Sequence, residues 1–210
     1  MRTATAALAA ALVLGSGPAP ARPVSWPGGW TAIQEWNPDM GSVLLHYTPS
    51  RHWSAGLFAR RMREGDWTLT GAQATWLVQR WNLPAAQANL YLTGGGGAAW
   101  RDGGAVRPGG FARVQGDWET RRLMLMGMAE VSHGDGIATV DIEMLRAGFA
   151  PWLAGYGRVH LWLFGQVRRD SAAGNRVEPA FVARVFHRTV MLEAGVTGSG
   201  GLILNSTFRF

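Results

Sequence analysis

Cysteine is absent from the 210 residues, so neither disulfides nor thiolate metal sites are open to this chain. Lysine is absent too, and all 20 cationic side chains are arginine. No stretch reaches the roughly 18 uninterrupted apolar residues of a spanning helix, which excludes a helical membrane protein. Charged residues make up only 16% of the chain while glycine numbers 29, a balance that favours strands and turns over helices. The formal charge is +6, yet no basic run is interleaved with aromatics, so nucleic acid is excluded as a partner. The planar fork of arginine instead suits carboxylate pairs in an enclosed polar space, or the phosphates of a surface glycolipid.

The amino terminus carries a positive residue, Arg2, then a short apolar run from Ala6 to Leu14, then small residues at Pro18-Ala19-Pro20-Ala21. That order predicts a secretory signal peptide over 1–21, cleaved after Ala21. The apolar run is too short to cross a bilayer core of about 30 Å as a helix. The remainder of the chain is long enough for one sizeable domain, read as a lead-in over 22–40 and a β-domain over 41–210. The lead-in holds either a first strand or a short plug helix.

Strict alternation marks the strands. In the stretch from Tyr156 to Arg168, Val159, Leu161, Leu163, Gly165 and Val167 occupy one face, and Arg158, His160, Trp162, Phe164, Gln166 and Arg168 the other. The same pattern sets Leu123, Leu125, Ala129 and Val131 against Met124, Met126, Met128 and Glu130, and Leu192 and Val196 against Glu193 and Thr197. One face therefore meets an apolar medium and the other a polar space. Turn signals such as Arg63-Glu64-Gly65-Asp66, Gly134-Asp135-Gly136 and Gly198-Ser199-Gly200 separate these runs. Eleven strands are read from Gly41 to Phe210. A ring closed with every neighbour antiparallel needs an even number, so Gly29 to Trp36 adds a twelfth, or the count is ten. Tryptophans near strand ends, Trp53, Trp67, Trp81, Trp100, Trp118 and Trp152, suit an interfacial girdle.

The last strand sets Leu202, Leu204, Phe208 and Phe210 on one face against Ile203, Asn205, Thr207 and Arg209. An aromatic carboxyl terminus closing such a strand resembles the C-terminal signature of bacterial outer-membrane β-barrels. The resemblance implies an all-β, antiparallel, up-and-down transmembrane barrel in the cell outer membrane. It further implies that Phe208 and Phe210 act as the assembly signal read by the barrel-assembly machinery, and that membrane lipid and lipopolysaccharide are partners. If the last strand runs inward, the longer loops at Arg101–Gly109 and Arg169–Arg176 fall outside and the turns at His187–Thr189 and Glu119–Arg121 fall inside, the usual barrel arrangement.

The candidate functional residues are the charges expected inside: Arg113, Arg122, Glu130, Asp141, Glu143, Arg158, His160, Arg168, Glu178, Arg184 and Glu193. Enclosed charges must be paired, so a lattice of ion pairs is one reading. A narrow pathway whose arginines favour anionic or polar solutes is the other. Ser132-His133-Gly134-Asp135 is the nearest approach to a catalytic cluster, a hydrolase or acyltransferase at the external rim, but Ser132 and His133 point to opposite faces. Met124, Met126 and Met128 share a face, where thioethers could carry a soft metal ion or fill space. No metal or other cofactor is expected. Three functions stay open: an outer-membrane channel or structural component, a soluble periplasmic barrel binding an apolar ligand, and an outer-membrane enzyme.

Overall fold

In the computed structural model, which describes residues 23–155 and 157–210, twelve antiparallel strands form one closed barrel. They are β1 (Trp30–Trp36), β2 (Met40–Ser50), β3 (Trp53–Met62), β4 (Trp67–Asn82), β5 (Ala86–Arg101), β6 (Arg107–Thr120), β7 (Leu123–Gly134), β8 (Ala138–Phe149), β9 (His160–Asp170), β10 (Val177–His187), β11 (Val190–Thr197) and β12 (Leu202–Arg209). Each strand pairs with its sequence neighbours, and β1 closes the ring on β12 from Thr31 opposite Arg209 to Trp36 opposite Leu204. Closure leaves no exposed sheet edge, which a bilayer would not tolerate. The lead-in therefore supplies the twelfth strand rather than a helix. The proposed leader at 1–21 and Tyr156 lie outside the described residues.

Outward positions carry Val43, Leu45, Leu57, Leu125, Leu145, Phe181, Leu192 and Leu204, all exposed, while Arg60, Asn89, Glu130, Arg146, Gln166 and Glu193 are buried inside. A water-soluble protein would reverse that partition. An apolar outside and a polar inside place the barrel across a lipid bilayer. One rim holds Trp30 and Phe210, joined by two backbone hydrogen bonds of 2.7 and 3.0 Å. Around this terminal rim stand exposed Trp30, Tyr47, Trp53, Trp76 and Trp81, with the Trp53 and Trp76 rings stacked 5.7 Å apart. Indole favours that boundary between hydrocarbon and headgroups. Trp67 departs from the girdle expectation: it is fully buried within the barrel. The reason is parity, because Trp67 shares the inward face of β4 with Leu69 and Thr75.

At the opposite, loop rim the connections are 37–39, 63–66, 102–106, 135–137, 171–176 and 198–201. They are tied together by side chains. Arg61 forms ion pairs with Asp66 and Asp102, Arg101 donates to the carbonyls of Gly65 and Ile137, and Arg176 bonds Glu178, which accepts from the Ser199 backbone. The terminal rim has tight turns except for 150–159, the longest connection of all. The sequence pattern places both long loops at the other rim and runs a strand through this connection from Tyr156. The strand begins at His160 instead.

The interior is filled unevenly. Toward the loop rim, Met40, Phe58, Met62, Trp67, Leu69, Ala99, Phe111, Val140 and Ile142 pack into an apolar cluster reaching from β2 to β8. Glycines make this packing possible. A Cβ on Gly71 or on its partner Gly97 would lie 2.1 Å from a carbonyl oxygen of the facing strand, and a Cβ on Gly95 would strike the Phe111 ring. At the terminal rim the segment before β1 turns into the mouth. Val24 is buried against Leu77 and Tyr91, and the Ser54 hydroxyl donates to the Pro23 carbonyl at 3.1 Å.

Candidate functional site in the lumen

A cavity of about 510 Å³ runs beside the apolar cluster, with Pro23 and Arg209 in its wall at one end and Glu64, Arg176 and Ser199 at the other. Its charged lining comprises arginines 60, 113, 146, 168, 176, 184 and 209, matched by Glu35, Asp39, Glu64, Glu130, Asp170, Glu178 and Glu193. The lining thus mixes these charges, seven of each sign, with apolar residues such as Met40, Phe58, Met128, Ile142 and Ile203.

Two carboxylates organise the middle of the lumen. Glu130 on β7 accepts from Arg60 at 2.6 Å, from Arg113 at 2.6 Å and from the Ser132 hydroxyl at 3.0 Å. Glu193 on β11 accepts from Arg146 at 2.8 Å, Arg184 at 2.7 Å and Asn205 at 2.7 Å. Both side chains are almost wholly enclosed, so each charge depends on its partners rather than on water. Aromatic faces complete the shells. The Arg60 guanidinium lies 3.6 Å from the Phe111 ring centre, and Arg146 and Arg184 flank Phe164 at 5.3 and 4.7 Å. Such contacts are favourable when desolvated. Each hub joins two arginines to one carboxylate, which leaves one positive charge in excess.

Hydrogen-bonded registry strings the hubs together. Arg60, Ser42, Glu35, Asn205, Glu193 and Arg184 are successive partners across β3, β2, β1, β12, β11 and β10. Nearer the loop rim, Arg168 pairs with Asp170 at 3.0 Å and with Asp39 at 3.5 Å. Asp39 sits in the β1–β2 connection, where burial, followed by the neighbouring carboxylates Asp170, Glu64 and Glu178, outweighs Arg168 and raises its pKa above the ordinary aspartate value.

Six of the residues expected to line the lumen do so: Arg113, Glu130, Arg168, Glu178, Arg184 and Glu193. His160 starts β9 on the inward parity, half-buried, and is no part of the cavity wall. Four others lie elsewhere. Arg122 is an exposed turn residue between β6 and β7, and Arg158 is exposed in the 150–159 connection, its backbone N–H donating to Gly155. Asp141 and Glu143 point outward from β8, where Glu143 pairs with Arg169 at 2.8 Å. On β8 the inward face is Val140, Ile142, Met144 and Arg146, because there the strand backs the apolar cluster.

Arg60, Arg146, Asp170 and Glu35 join the site without being singled out by the sequence pattern. Arg60 shares the polar face of its strand with Ser54, a signal that could have found it. Ser132 turns inward onto Glu130, whereas His133 turns outward onto the Thr139 hydroxyl at 2.8 Å, so the two do not meet. Met124, Met126 and Met128 all face inward and pack with Phe164, Trp162 and Ile142, and the Met124 sulfur accepts from Arg184 at 3.7 Å.

No protein-family model matches the chain, and no curated protein matches its sequence. Solved structures do match its fold. The KdgM porin in complex with disordered oligogalacturonate superposes with a TM-score of 0.55 at 6% identity, over 87% of this chain and 99% of that one. The KdgM porin alone gives a TM-score of 0.52 at 6% identity over the same shares. At that identity the likeness is one of fold, and with the apolar outer belt it makes this chain a twelve-stranded β-barrel of the outer-membrane type.

Proposed function

We propose that the protein is a narrow outer-membrane channel for small polar solutes. The observation that carries this reading is a cavity with charged residues in its wall at mid-height and near both rims, inside a barrel whose outside is apolar. A barrel of this size lies between those filled by side chains and those holding a wide aqueous pore. The loop rim faces outward in this reading, with Phe208 and Phe210 toward the periplasm as the assembly signal and lipid and lipopolysaccharide around the belt. Every arginine of the two central hubs is tied to a carboxylate, so preference for anions rests on the hubs' small positive excess and is weak.

A structural role is the second reading, favoured by the apolar cluster and by Val24 in the mouth. Purified protein in planar bilayers separates the two. Small conductance steps with a slight anion preference are expected, and Arg184→Gln should move that preference toward cations. A silent bilayer with folded protein overturns the channel and leaves the structural role standing. The soluble ligand-binding reading requires the belt leucines Leu45, Leu57, Leu125, Leu145, Leu192 and Leu204 to point inward, and they point outward.

A further inference from the structure

Glu130 and Glu193 are saturated by arginine, but Glu35 is not. This carboxylate sits on β1 in the cavity wall, and its one bond among the described residues is from the Ser42 hydroxyl at 3.3 Å. The registry row places it between the hubs, one strand from Asn205 and two from Arg60. Its charge is nevertheless felt at Arg60, Arg113 and Arg146. Of these, Arg113 has the most accessible side chain, 21% exposed, against 6% for each of the other two. Arg113 spends Nε and Nη2 on Glu130, which leaves other guanidinium N–H groups for a solute. β1 and β6 stand nearly opposite each other in the ring. Among the described residues, a carboxylate with unused lone pairs and a guanidinium with unused donors thus line one lumen from nearly opposite strands.

From this geometry we infer that Glu35 and Arg113 form a two-pole subsite that takes small zwitterions of the amino-acid type, with Glu35 receiving the cationic group and Arg113 the anionic one. The inference rests on the channel reading and names its solute class. A field directed across the lumen turns a dipolar solute side-on, so both of its charges are met at once. A singly charged solute satisfies one pole and leaves the other opposed, and gains less. Glu35 is then the residue that sets specificity, because the hub arginines are present with or without it.

The test uses the whole protein in planar bilayers, with glycine as probe and acetate and methylammonium as its separate halves. Glycine should lower the single-channel current of the wild type, while neither half does so at equal concentration. Glu35→Gln should abolish the glycine effect and raise the chloride-to-potassium permeability ratio about two-fold or more, as expected when a wall carboxylate is removed. Glu35 takes part in no ion pair among the described residues, so the isosteric variant is expected to fold. Should it not, glycine measured against acetate on the wild type decides the matter alone. A conducting wild type that ignores glycine, or responds equally to acetate, overturns the inference and leaves the channel standing. So does a Glu35→Gln channel indistinguishable from wild type. A silent wild type overturns the channel reading, and this inference with it.

Discussion

Single residues divide here into charges that hold the lumen together and charges that tune it. Glu130 is of the first kind, since removing its charge leaves Arg60 and Arg113 without their ion-pair partner in an enclosed space. Glu130→Gln should therefore destabilise the barrel by about 3–5 kcal/mol, the cost of breaking a buried pair by one partner. Glu193→Gln should behave alike. The two hubs share no hydrogen-bond partner, so the double variant should lose the sum to within about 0.5 kcal/mol. Urea unfolding in lipid vesicles reads all three. Asp39 is of the second kind. Its pKa is raised in the folded state, so folding favours its protonated form. The stabilising contribution is complete below the ordinary aspartate range and is lost as pH rises through the raised value. Asp39→Asn should accordingly be more stable than wild type at neutral pH, and the advantage should vanish in acid. An advantage that instead grows in acid would reverse the sign assigned to burial at Asp39.

At the scale of the element, glycine placement decides which strands can approach. Gly97 meets the Thr70 carbonyl across the β4–β5 pair, whereas at Gly94, three residues earlier on the same strand, a Cβ would have nothing within 4 Å. Gly97→Ala should cost at least the ~1–3 kcal/mol of an overpacked site, and Gly94→Ala should be neutral. Heat-modifiable migration and urea midpoints of the two variants check the contrast. The strands themselves are legible in the sequence, because a side-chain period of two shows directly which residues share a face, and β7, β9, β11 and β12 take the faces their alternation indicates. β8 defeats the sequence rule for a physical reason. The rule equates charge with the inside, which holds only where lipid covers the outside. Beyond the bilayer the outer face turns polar, and the inner face here turns apolar to fill the loop-rim half. Asp141 and Glu143 sit on that outer face, and Arg146, on the opposite parity, escapes notice as a result. Arg158 is misplaced for a different reason: alternation continues past the strand into the 150–159 connection, and no period marks where backbone pairing stops. Nor can alternation show that Glu130 and Glu193 each gather two arginines, since Arg60 and Glu130 are 70 residues apart and meet only when the ring closes.

At the scale of the whole molecule, the partition between lipid and lumen carries the fold, and the belt has limits that can be measured. Leu57 is 70% exposed and pairs with Leu45 and Ala72, so it stands in an unbroken apolar surround. Thr139 also faces outward, but beside His133 and Asp141 near the loop rim. An arginine at a lipid-facing midplane position costs about 2–4 kcal/mol and near the interface about 0–1. Leu57→Arg should fall in the first range and Thr139→Arg in the second, as read by urea unfolding from lipid vesicles. Equal penalties at the two sites would mean that the bilayer also covers the outer face of β8 at the Glu143–Arg169 pair. Because a buried ion pair on the lipid side would then need a different account, this comparison tests the height of the barrel in the membrane as well as its orientation. If Leu57→Arg has no cost, the leucines do not face hydrocarbon, and a channel enclosed by them is not tenable.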